Sequence, residues 1–188
     1  TFLERLKLSS IGLLGDGDTR DAIEIPIVDA GRRINPAALD VLAAASGGYP
    51  YAIQLVGSYC WDAAGQDAEI SVRHARIAER KTNDDLQNGV FVTSWQRVSP
   101  ADRTYLVAAA QTRTADGESR TADIAERLGR VPSATTAMRD RLINRHAVLY
   151  SPARGVVRFM LPGFADWLIR QPGAQVPQKA SIRPTLRK

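Results

Sequence analysis

Gly47-Gly48-Tyr49-Pro50-Tyr51-Ala52-Ile53-Gln54-Leu55 separates two helical patterns of a 188-residue chain. Upstream, Asn35-Pro36 is a helix start, an Asn cap followed by Pro at the first helical position. Leu39, Leu42 and Ala43 fall on one face of that helix, and Gly47-Gly48 stops it. Downstream, Pro50 opens a second helix running to Ala64, with Ile53, Val56, Tyr59 and Cys60 in helical rhythm and Gly65 at its end. Pro costs nothing in a first turn, where its missing N–H has no intrahelical partner. The Gly pair lets a flat ring approach the backbone, with the Pro50 ring as an apolar wall. The same residues are also what a plain helix stop and helix start require.

Further outward, Phe2 to Leu8 alternates apolar and polar residues and predicts a short strand. Asp16-Gly17-Asp18-Thr19 supplies a turn and a cap, and the helix from Thr19 is expected to meet trouble at Pro26. Ser71 caps a fourth helix over residues 72–87. Four helices without a full strand between them make a small bundle over residues 1–90. Gln87-Asn88-Gly89 reads as a break between domains, with Phe91 and Trp95 able to pack on either side.

Ser99-Pro100-Ala101-Asp102 opens a well-capped helix. A polar loop covers residues 112–120, and Thr121 caps the helix Ala122–Leu128. Gly129-Arg130-Val131-Pro132 turns the chain, and Ser133 caps a helix to Arg145. Ala147–Tyr150 and Val156–Met160 flank the turn at residues 151–155, a β-hairpin signal. Pro162 starts a last helix through Ile169, and residues 171–188 read as a flexible basic tail. Helix, helix, turn, helix, hairpin is the order of a winged helix, here over residues 91–170. The expected fold class is therefore mainly α: a helical bundle followed by a winged helix with a β-hairpin wing.

Composition narrows the function. One cysteine, Cys60, excludes an internal disulfide and cannot alone form a zinc site. No apolar run is long enough to span a membrane and no signal peptide is evident, so a cytoplasmic protein with no membrane partner is expected. His74 and His146 fall in different domains, and a nucleophilic dyad with Cys60 finds little support. Asp62, Asp67 and Glu69 lack metal-ligand spacing and read as a solvated face. The chain itself is not expected to be an enzyme.

Charge is uneven. Residues 1–119 hold 12 Lys and Arg against 16 Asp and Glu, and residues 120–188 hold 13 against 4. A net of −4 beside a net of +9 makes a polyanion the candidate partner of the second part. In a helix-turn-helix, Ser133, Thr135, Thr136 and Arg139 would face base edges and phosphates. Arg154 at the hairpin tip, with Arg158, would touch the DNA backbone or minor groove.

Phe2-Leu3-Glu4-Arg5-Leu6 with Leu13-Leu14, then Ala45-Ser46-Gly47-Gly48-Tyr49-Pro50-Tyr51-Ala52, resembles the stretch after sensor 1 in AAA+/STAND P-loop ATPases. It is similar to the Orc1/Cdc6-like and archaeal-type ATPases, whose core is followed by a helical lid and a winged helix. The resemblance implies a lid over residues 1–90 whose Gly48, Tyr49 and Pro50 meet ATP or ADP, with Mg, in a parent protein. The Orc1/Cdc6 turn usually carries a sensor 2 Arg where this sequence has Pro50. No Gly-x-x-x-x-Gly-Lys-Ser/Thr loop and no acid-terminated strand is present, so no cofactor is expected on this chain alone. Arg32-Arg33 could act as an arginine finger toward a neighbouring subunit, or be an exposed loop pair. The expected partners are a missing N-terminal P-loop core and duplex DNA, or else a protein partner or a homo-oligomer. Two further readings stay open: a DNA-binding regulator with a helical oligomerisation or sensing domain, and a protein-interaction adaptor.

Overall fold

A computed structural model describes residues 12–171, so the expected strand at Phe2–Leu8 and the tail after residue 171 lie outside the described residues. The protein is mainly α-helical and divides into two compact units, one ending at Leu86 and the other beginning at Gln87.

The first unit is built from α1 (Asp16–Asp29), α2 (Pro36–Ser46), α3 (Pro50–Ala64) and α4 (Val72–Asp85). α2 starts as its sequence dictates: the Asn35 side chain accepts from the Ala37 N–H at 3.0 Å and Pro36 follows. It stops at Gly47, whose left-handed φ of 54° few other residues tolerate. α4 opens with a capping box whose far member is a histidine. Ser71 Oγ accepts from the His74 N–H, and His74 Nδ1 accepts from the Ser71 N–H at 3.2 Å. The buried face joins Leu42, Val56, Cys60, Ile70, Ala75 and Ala78 into one core. Alanines at 38, 75 and 78, all fully buried, let α2 and α4 pack closely.

Two expectations for this unit are corrected. α1 begins at Asp16, not Thr19, and continues through Pro26 to Asp29. An internal Pro costs a helix about 3 kcal/mol. Ile23 and Ile27, buried on either side of Pro26, offset that cost at about 1.5–3 kcal/mol each. The unit also contains a strand pair, β1 (Arg33–Ile34) with β2 (Glu69–Ile70), parallel and two residues long.

Gln87-Asn88-Gly89, read from the sequence as a break between domains, is where the second unit begins, and its backbone is helical: a π-type segment Leu86–Phe91 followed by α5 (Val92–Arg97). Phe91 and Trp95 belong to the second unit: both rings pack on Trp167, and Phe91 also on Phe164. That unit continues with α6 (Pro100–Gln111), β3 (Glu118–Arg120), α7 (Thr121–Arg127), a 3-10 turn Pro132–Thr135, α8 (Thr136–Asn144), β4 (Leu149–Tyr150), β5 (Val156–Phe159) and α9 (Phe164–Arg170). α6 is its central post, buried continuously from Tyr105 to Ala110. The sheet is antiparallel, ordered β3-β5-β4, with Arg120 opposite Val156 and Leu149 opposite Phe159. The order in this unit is therefore helix, strand, two helices and hairpin, where the sequence reading expected helix, helix, turn, helix and hairpin. The strand β3, which the sequence left inside a polar loop, completes the sheet. α9 begins at Phe164 rather than Pro162, with Gly163 at φ 76° as its cap residue.

Candidate functional site

Among the expected nucleotide contacts, Gly48 is committed to the fold. Its φ is 71° and it is buried, and a Cβ there would lie 2.4 Å from the Leu14 carbonyl oxygen. The Leu14 N–H donates to the Gly48 carbonyl at 2.9 Å. The approach that a bare glycine permits is therefore taken by the chain's own residue 14 rather than left open for a ring. Tyr49 precedes α3 as its cap residue and Pro50 is the first helical residue, both half-buried. Tyr51 is exposed and meets the Tyr49 ring edge-on at 6.5 Å. What this turn offers a ligand is the edge formed by Pro50 and Tyr51.

Arg32 has structural work. Its guanidinium stacks 3.8 Å over the Trp61 ring and donates to the Gly65 carbonyl at 2.6 Å, closing the C-terminal end of α3. Cys60 is fully buried, its Sγ donates to the Gly57 carbonyl at 3.2 Å, and burial pushes its pKa up to about 11. A thiol held neutral in this way is no nucleophile at neutral pH. His74 Nε2 faces Asp67 at 3.3 Å in the same unit and serves the α4 cap. Among the described residues, no group of three or more metal-ligating side chains forms. No helix there is long and apolar enough to cross a membrane. A 460 Å³ apolar groove between α1 and α3 runs past Pro26, Gly57 and Trp61.

The second unit separates the six expected DNA contacts. Ser133 lies in the 3-10 turn instead of capping a helix, and is exposed. Thr135 is a correction: it is buried, with its hydroxyl donating to the Pro132 carbonyl at 2.9 Å. The tighter 3-10 geometry rotates residue 135 inward, where an α-helix from Ser133 would have kept it outside. Thr136 is exposed and donates weakly to the same carbonyl. Arg139 is half-buried and turned onto its neighbour Asp140, at 2.8 Å. Arg158 is held on the sheet by Glu118 at 2.9 Å, and its Nε is buried without a partner. The hydrogen bond its guanidinium donates to Tyr150, with the charges of Tyr150 and Glu118, outweighs desolvation and raises its pKa. Arg154 is exposed at the hairpin tip.

Arg141 is spoken for as well. It makes a two-pronged pair with Asp102 of α6, at 2.7 and 3.2 Å, which pins α8 to the central helix. Burial pulls the Asp102 carboxyl upward. The Arg141 and Ser99 hydrogen bonds, with the Arg141 and His146 charges, outweigh it and hold the group below the usual carboxylate value.

A residue missed in the sequence takes part instead. Arg120 ends β3 opposite Val156, and the Thr121 N–H next to it donates to Gly155 at 2.9 Å. The sheet register thus brings exposed Arg120 to the same end of the hairpin as exposed Arg154. Neither has an acidic partner among the described residues. The only sequence signal was a basic residue just before the expected cap Thr121, which is instead the first residue of α7, and that signal is too little without the register.

The second unit is similar to a family described as a domain of unknown function (DUF8462), whose profile matches residues 88–168. No curated protein and no solved structure matches the chain.

Proposed function

We propose that the second unit is a duplex-DNA-binding module in which the hairpin tip grips the phosphate backbone and the N-terminal end of α8 faces a groove. The observation that carries this reading is the corner formed by Arg120 and Arg154, two exposed cations without acidic partners, placed together by the β3–β5 pairing. Exposed Ser133 and Thr136 supply short hydroxyls at the start of α8 for phosphate or base-edge contact. The net charge of residues 120–188, +9, favours a polyanion. The resemblance to nucleotide-dependent switch proteins extends the reading. DNA contact would then be coupled to a nucleotide held mainly by a P-loop core, with Pro50 and Tyr51 as this chain's share.

The test is fluorescence anisotropy of a labelled duplex at two salt concentrations. Binding is expected in the micromolar range and falls steeply with salt. Arg120→Ala and Arg154→Ala each weaken all sequences by a similar factor and reduce the salt slope by about 0.9, one phosphate contact. Arg139→Ala changes little, because that guanidinium is already turned onto Asp140. Absence of binding at low salt, or wild-type binding by both tip variants, would return the unit to a protein-docking role.

A further inference from the structure

A 280 Å³ cavity in the second unit is lined by Ser94, Arg97, Arg145, His146 and Val148. Ser94 and Arg97 lie three residues apart on α5 and share a face. Arg145 and His146 are set by the turn that ends α8. The N–H groups of both donate to the Arg141 carbonyl at 3.0 Å, and the Val148 N–H returns to Leu142 at 3.1 Å. That turn holds Ala147 at φ 50°, which among the described residues no other non-glycine adopts in the left-handed region.

Six of the twelve described arginines of this unit are held by neighbours. Arg103, Arg113, Arg127, Arg139, Arg141 and Arg158 each donate to a carbonyl or an acidic or amide side chain. Arg97 and Arg145, like Arg120, Arg130, Arg154 and Arg170, have no acidic partner among the described residues, but these two line one cavity. No acidic residue lines it with them, and the charge of Asp102, which His146 feels, is already answered by Arg141. Both arginines are exposed, and two like charges at one hollow raise the local potential toward an anion. They can present up to ten N–H donors, with a serine hydroxyl and an imidazole beside them. A carboxylate offers two oxygens to that set. A terminal phosphate offers three and carries more charge, and arginine forks match its geometry.

We propose that this cavity is a binding site for a terminal phosphate group, such as that of a phosphomonoester, separate from the DNA-facing corner at the hairpin tip. The site takes the dianionic group between Arg97 and Arg145, with Ser94 and His146 as further donors and Val148 as the apolar floor.

The experiment is ¹H–¹⁵N NMR of the full chain titrated with inorganic phosphate, and separately with phosphoserine, against chloride at equal ionic strength. Expected are saturable shifts confined to the amides near Ser94, Arg97, Arg145 and His146, with millimolar affinity. Arg97→Gln and Arg145→Gln each weaken that affinity at least about tenfold, the loss of one charge-assisted donor. Arg33→Gln, on the first unit, leaves it unchanged. Saturation by phosphate but not by phosphoserine assigns the site to free phosphate. Saturation by both assigns it to phosphomonoesters. Shifts that never saturate, that chloride reproduces, that persist in both variants, or that only duplex DNA produces would each overturn the proposal.

Discussion

Gly48→Ala is the substitution that most directly separates a ligand-approach glycine from a packing glycine. Two costs add. A non-glycine residue at φ 71° costs about 1–2 kcal/mol. The new Cβ would also sit 2.4 Å from the Leu14 oxygen and 3.3 Å from the Leu14 nitrogen, backbone atoms that cannot swing aside. Relieving that overlap breaks the Leu14 N–H bond to the Gly48 carbonyl, a further loss of about 0.5–1.5 kcal/mol. The expected total is about 1.5–3.5 kcal/mol. Gly31→Ala is the internal control. Its φ is 82° but its Cβ would meet nothing within 4 Å, so only the backbone cost of about 1–2 kcal/mol applies. Native-state hydrogen exchange of the α3 amides Ile53 and Val56 reads the stability of this unit within the intact chain. Gly48→Ala should lower it by more than Gly31→Ala does, and the Leu14 amide should lose its protection. Equal or smaller loss at Gly48, without any nucleotide present, would refute the packing account and restore the open glycine face.

Asp102→Asn removes the charge that fastens α8 to α6 and is expected to cost the second unit about 1–2 kcal/mol at neutral pH, measured by urea unfolding. The native Asp102 pKa is lowered, so its contribution is fully present above the unfolded value of about 3.9 and fades as pH falls through the native value. The wild type and Asp102→Asn should therefore converge in stability toward low pH; a gap that persists in acid would show that the side chain acts by shape alone. Tyr105→Phe is expected to be neutral or stabilising by up to about 1 kcal/mol, since the Tyr105 hydroxyl is buried without a partner and burial pushes its pKa up to about 12. A thermal melt showing a loss above about 1 kcal/mol would mean the hydroxyl is satisfied by an internal water.

Sequence made the element starts legible because caps are local. Asn35-Pro36 and Ser99-Pro100 each set a helix by hydrogen bonds spanning three residues or fewer. The hairpin was legible for the same reason, its strands flanking a short turn. What stayed hidden depends on distant partners. α1 passes through Pro26 because Ile23 and Ile27 are buried by the rest of the unit, a tertiary gain that local propensity does not register. β1 and β2 are two residues each and 36 residues apart in register, below any periodicity. The His74 capping box escaped because His replaces the usual Glu or Gln. Thr135 was misplaced by one local detail, a 3-10 turn where an α-helix was expected.

The candidate interface shows why counting charges along a helix misleads. By sequence, α8 and the turn after it display Arg139, Arg141 and Arg145, and a DNA-reading helix is the natural inference. Folding spends the first on Asp140 and the second on Asp102, 39 residues away. Only the third lacks an acidic partner among the described residues, and it lies at the far end of the helix in the cavity with Arg97. Cation availability has moved to Arg120 and Arg154 at the hairpin tip. Both were exposed in any reading, but only the antiparallel register of β3 on β5 makes them neighbours. Because free cations, not net charge, release counterions from a nucleic acid, affinity should track these tip residues and stay indifferent to the arginines already paired along α8.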